Sequence, residues 1–121
     1  MTDLLIKTPA FYILLSLFGG DKHGYAIMKD VLDISEGEIK MGPATLYTTI
    51  KRLLGQGYVR EVGEKTDRAH PGERRRYYSL TADGKTMVTS ELGRIKRLVS
   101  NYSKITNGLA KNALWVLHSE L

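Results

Sequence analysis

Two stretches of this chain carry side chains whose types and spacing could do chemistry. Ala44, Thr45, Tyr47, Thr48, Lys51 and Arg52 recur at helical intervals, and Lys65, Arg68, Arg74, Arg75 and Arg76 crowd a segment rich in turn residues. Hydroxyls and cations in that mixture hydrogen-bond and neutralise phosphates, and small residues beside them let a partner come close. A catalytic constellation cannot be assembled. There is no Gly-rich phosphate loop, no pair of carboxylates on one helix face, no activated-serine motif and no cysteine. His23, His70 and His118 are far apart and lack ligand spacing, so neither a metal site nor a cofactor is expected.

Charge agrees with that focus. The 121 residues hold 18 Lys and Arg against 13 Asp and Glu, a formal +5, and the surplus is uneven. Residues 1–44 carry four lysines and six acids, residues 45–76 carry eight bases and four acids, and residues 77–121 carry six bases and three acids. An anionic partner facing the middle of the chain follows. With 42% hydrophobic and 26% charged residues the composition is that of a folded domain, not of a disordered polycation. The longest apolar run, residues 10–18, is broken by Ser16 and is too short to span a bilayer. Its flanks lack the pattern of a secretory signal, and the missing cysteines fit a reducing compartment; the expected location is cytoplasmic.

The elements that must position these residues can be read from periodicity. Apolar residues over 4–18 are dense enough for a helix buried on most sides, with Pro9 near its first turn. Gly19-Gly20 ends it, and Asp21 offers a cap for a second helix over 22–34; His23 is a further residue able to cap or orient that start, and Gly24 allows close helix approach. Gly42-Pro43 opens a third helix whose stripe is Leu46, Ile50, Leu53 and Leu54, stopped by Gly55 and Gly57. The candidate face from Ala44 to Arg52 lies opposite that stripe and has no acid. The period then changes: residues 58–62 and 76–80 read as two strands joined by a long basic tip with Pro71-Gly72 as turn chemistry. Thr81 and Asp83 launch a fourth helix with an apolar stripe of Leu92, Ile95, Leu98, Val99, Tyr102 and Ile105. Asn107-Gly108 reads as its C-cap, with a short helical segment after it.

Three helices, a hairpin and a long helix make a fold that is mainly α with a small β-hairpin (α+β): a winged helix-turn-helix domain over 1–84, plus a C-terminal dimerisation helix and tail over 85–121. In such a domain the third helix enters the major groove of double-stranded DNA and the hairpin reaches the backbone or minor groove. Four blocks sharpen this: His23-Gly24-Tyr25; Gly42-Pro43-Ala44-Thr45-Leu46-Tyr47; Ile50-Lys51-Arg52-Leu53 with Gly57; and Arg75-Arg76-Tyr77-Tyr78-Ser79-Leu80-Thr81 with Gly84. In order and spacing the chain resembles the short branch of the PadR family of bacterial transcriptional regulators. The resemblance implies a homodimer that binds an operator, usually as a repressor.

The fourth-helix stripe is the expected dimer interface, and the resemblance implies help from the first helix, for which Leu5 and Phe11 are the candidates. The resemblance further implies a small aromatic effector, for which Tyr102 and Trp115 are the candidate pocket residues. A different class of function, a winged-helix module whose basic hairpin docks an acidic protein partner, uses the same cations without DNA.

Overall fold

The computed structural model describes the backbone of residues 8–67 and 70–120 and the side chains of residues 8–66 and 74–108. Its elements are α1 (Pro9–Phe18), β1 (Lys22–His23), α2 (Gly24–Ile34), α3 (Pro43–Gly55), β2 (Val59–Asp67), β3 (His70–Leu80) and α4 (Ala82–Glu120). Two compact units divide the chain, Met1–Val88 and Thr89–Leu121, with α4 beginning in the first and continuing through the second. Among the described residues no helix is long and apolar enough to cross a membrane.

Local chemistry sets the helix ends of the first unit. Thr8 caps α1, its Oγ1 accepting from the Phe11 N–H at 3.4 Å, and Pro9 occupies the first turn, where a missing N–H costs nothing. Asp21 does not cap α2, because residues 22 and 23 form a short strand instead. His23 takes the N-cap position, and its Nδ1 accepts from the Ala26 N–H at 3.2 Å. The end of α3 is a Schellman turn: the Tyr58 N–H donates to the Leu53 carbonyl and the Gly57 N–H to the Leu54 carbonyl, both at 3.1 Å. Gly57 sits at φ 81°, a conformation that other residues enter only at a cost.

Ile13, Leu14 and Leu17 of α1 meet Ile27 and Val31 of α2, Leu46, Ile50 and Leu53 of α3, Val59, Tyr78 and Leu80 of the hairpin, and Val88 of α4. The α3 stripe read from the sequence thus fills the core with Leu46, Ile50 and Leu53, and Leu54 packs against it partly buried. The sheet has three strands in the order β1-β3-β2, all antiparallel, with Lys22 opposite Tyr78 and Val59 opposite Leu80. A bulge between Glu61 and Gly63, with Gly63 at φ 105°, bends β2.

Three further expectations change. The hairpin is longer than the two predicted segments, and Pro71-Gly72 lies within β3, whose His70 pairs with Asp67 of β2. A two-residue strand, β1, adds to the edge of the sheet; no periodicity can announce so short an element. Asn107-Gly108 does not end a helix: α4 is continuous to Glu120. An internal glycine costs a helix about 1 kcal/mol relative to alanine, which a helix of this length absorbs.

Candidate nucleic-acid interface

α3 separates its residues cleanly. Leu46, Thr49, Ile50 and Leu53 are buried, while Ala44, Thr45, Tyr47, Thr48, Lys51 and Arg52 are all exposed. The Thr49 hydroxyl donates to the Thr45 carbonyl at 2.7 Å, so it is occupied within the helix, and Thr45 and Thr48 are the outward hydroxyls. Ala44, Thr45, Thr48 and Thr49 line a shallow depression of ≈ 240 Å³ at the amino-terminal half of α3. Gly42 gives that end no side-chain cap, and the first turn has no acid, so its positive dipole end is not masked by the helix's own groups.

The hairpin supplies the second cationic group. Arg74 and Arg76 lie near Glu64 and Glu61 at 3.9 and 3.6 Å, long and exposed pairs that contribute little to stability. The side chain of Arg75 is half-buried, its guanidinium 5.8 Å from the centre of the Tyr25 ring. Lys65 lies 5.0 Å from the centre of the Tyr77 ring, which also packs nearly perpendicular to the His23 ring with centres 5.3 Å apart. Arg68 falls outside the described residues.

Tyr47 joins the two groups. Its hydroxyl lies against Gly24, where an added Cβ would come within 2.5 Å of it. With Tyr47, the residues His23, Gly24, Tyr25, Tyr78, Arg74, Arg75 and Arg76 line an open cavity of ≈ 360 Å³. Burial, then the neighbouring Glu61 and Tyr47, pushes the Tyr78 hydroxyl above its ordinary pKa of 10.0, with Arg76 pulling the other way. The cavity thus brings Tyr47 to the three arginines, but Lys51 and Arg52 do not line it. Sequence reasoning missed Tyr25 and Tyr78 as cavity residues and took His23 only as a residue that caps or orients the start of the second helix. Only the strand pairing of β1 with β3 makes them neighbours.

The model of the transcriptional regulator PadR-like family matches residues 13–90. The chain belongs to that family. Among solved structures, this PadR-like regulator resembles a transcriptional regulator from Clostridium thermocellum (TM-score 0.63, 23% identity, 86% of this chain and 95% of that one). It also resembles a PadR family transcription regulator from Clostridium difficile R20291 (TM-score 0.59, 25% identity, 78% and 96%). A further likeness is to Bacillus subtilis PadR in complex with operator DNA (TM-score 0.58, 20% identity, 69% and 45%). No curated protein matches the chain. The α+β architecture is that of the winged-helix PadR structures.

The remaining candidates belong to other places. In the second unit Leu92, Leu98, Val99, Tyr102 and Ile105 are between 41% and 61% exposed, so the chain alone leaves this stripe uncovered; Ile95 is half-buried. Phe11 is only 3% exposed and so is already enclosed within its own chain, offering little to a second copy. Leu5 and the side chain of Trp115 lie outside the described residues. The continuous helix places positions 102 and 115 roughly 20 Å apart along its axis. Among the described residues no group of three or more His, Cys, Asp or Glu side chains could hold a metal ion.

Proposed function

We propose that this PadR-like regulator binds double-stranded DNA as a homodimer and represses transcription, with α3 in the major groove and the β2–β3 wing on the backbone or minor groove. One observation carries the reading: α3 turns an acid-free face of Ala44, Thr45, Tyr47, Thr48, Lys51 and Arg52 outward while its apolar residues are consumed by the core. Its diameter suits the major groove, Thr45 and Thr48 can reach base edges, and Lys51, Arg52, Lys65, Arg74, Arg75 and Arg76 neutralise phosphates. A second copy covers the exposed stripe of the second unit, since apolar side chains this exposed and this regularly spaced mark an association surface. Two-fold pairing would present two α3 helices to two half-sites. A small aromatic ligand meeting Tyr102 and Trp115 would release the DNA; this part rests on the family resemblance.

Titration of labelled duplex from the region upstream of the chain's own gene tests the core of this. Affinity should fall linearly with salt on logarithmic axes, and removing Lys51, Arg52 and Arg75 together should shrink the slope by roughly 0.9 for each phosphate no longer neutralised. Thr45→Ala should narrow the gap between operator and random duplex. A flat salt dependence, or a triple variant that binds as the parent does, overturns the reading and leaves the acidic-protein partner in its place. Because Trp115 is the single tryptophan, its emission follows any aromatic ligand directly.

A further inference from the structure

The cavity between α2, α3 and β3 has a chemistry that DNA binding does not exhaust. Three arginines line it and, among the described residues, no carboxylate does. Among the described residues, Glu64 and Glu61 pair with Arg74 and Arg76 at 3.9 and 3.6 Å, with both members of each pair well exposed, so an incoming anion can displace them. Two tyrosines of the same cavity keep their rings open, Tyr25 at 60% and Tyr47 at 50% exposed. A phosphate of duplex DNA satisfies the arginines but brings no free ring, because the bases of a duplex are stacked inside it. Exposed aromatic faces beside clustered guanidinium groups fit a single molecule that carries both a planar ring and an anion. The volume of ≈ 360 Å³ lies in the range of small-molecule sites.

We infer that this cavity is a binding site for a free mononucleotide-sized aromatic phosphate, which places its ring against Tyr25 and Tyr47 and its phosphate among the arginines that line the cavity. Arg75 already sits over the Tyr25 ring, so one cation is oriented before the ligand arrives. Gly24 makes the wall: a Cβ there would meet the Tyr47 hydroxyl at 2.5 Å and its ring at 2.9 Å, so only glycine lets Tyr47 lie across the start of α2. Because the same arginines are assigned to the DNA backbone, ligand and operator compete. That competition rests on the proposed DNA-binding reading; the site itself does not.

Calorimetric titration of the full chain with adenosine 5′-monophosphate, inorganic phosphate and adenosine at low salt tests the site without DNA. The mononucleotide should bind with one-site saturation, and phosphate or adenosine alone should bind at least about tenfold more weakly, because each lacks one of the two recognition elements. Tyr25→Ala, at an exposed position that the core does not need, should weaken the mononucleotide about tenfold, while Lys40→Ala, which removes an exposed charge outside the cavity, should leave it unchanged. Gly24→Ala should also weaken it, by displacing Tyr47. A mononucleotide that binds no better than phosphate, or as well to Tyr25→Ala as to the parent, overturns the site. Duplex binding is followed in parallel. DNA binding without mononucleotide binding defeats the cavity alone, and mononucleotide binding without DNA binding defeats the DNA reading alone. If both bind, the mononucleotide must raise the duplex concentration for half-saturation, and failure to do so overturns the competition.

Discussion

Gly84→Ala is a severe test of how the wing root is joined to α4. On helix propensity alone the change should help, because alanine is favoured over glycine in a helix by about 1 kcal/mol. The packing says the opposite. An added Cβ would lie 2.2 Å from the Tyr58 carbonyl oxygen, 2.8 Å from Leu80 Cδ2 and 3.1 Å from the Tyr58 carbonyl carbon. The closest atom is backbone, and it is held in place: the Tyr58 carbonyl accepts from the Thr81 N–H at 3.1 Å. Thr81 Oγ1 in turn donates to the Gly57 carbonyl at 2.6 Å and accepts from the Gly84 N–H at 3.0 Å. Relieving the overlap therefore means opening the junction between the Schellman turn of α3, the end of β3 and the first turn of α4. Overpacking of this kind costs about 1–3 kcal/mol, more when backbone must move, so the net loss should be about 2 kcal/mol after the propensity gain. Urea denaturation followed by circular dichroism should show the midpoint falling by about 1 M for a typical slope. Gly24→Ala is the internal control, since there the nearest atoms belong to the half-exposed side chain of Tyr47, which can swing away. Its midpoint should shift by less than half as much. A Gly84→Ala protein as stable as the parent, or less affected than Gly24→Ala, would refute the reasoning.

The other predictions concern polar groups at the same core. Lys22 Nζ donates to the Ser16 carbonyl at 2.6 Å and lies 3.3 Å from Asp30 Oδ2, which also accepts from the Ser16 hydroxyl at 3.1 Å. Lys22→Met keeps the stem and removes the donor, and should cost about 1 kcal/mol, lowering the melting temperature by about 4–8 °C; an unchanged melting temperature would count against the network. The Tyr78 hydroxyl, held above the ordinary 10.0 by burial first and by Glu61 and Tyr47 second, favours the folded state in its neutral form. The folded protein then retains a proton that the unfolded chain loses, so stability should decline as pH climbs past 10. Tyr78→Phe should flatten that alkaline decline; an identical alkaline profile in both proteins would remove Tyr78 as the cause.

How the fold and the site could be read differs element by element. The core stripe of α3, the cap at Thr81 and the proline start of α3 were legible because each depends on a few neighbouring residues. The role of Gly24 was legible in kind, as close approach, but its partner was not: that it is the Tyr47 hydroxyl depends on how α2 and α3 cross. The helix stop expected at Asn107-Gly108 was a local signal overruled by a long helix. Tyr25, Tyr78 and the three arginines could not be grouped beforehand, because fifty residues separate Tyr25 from Arg75 and a two-residue strand brings them together.

What the sequence by itself determined is therefore the kind of protein: an α+β regulator of the PadR-like family with an acid-free, basic face on its third helix and an apolar stripe on its last. Periodicity and charge are properties of order along the chain, and they need no coordinates. What only the tertiary structure decided is which polar residues share a space. The core draws in one face of α3 and so exposes the other, while β1 pairing with β3 carries His23 and Tyr25 to the arginines of the wing. The cavity they form follows from long-range packing, which leaves no period in the sequence.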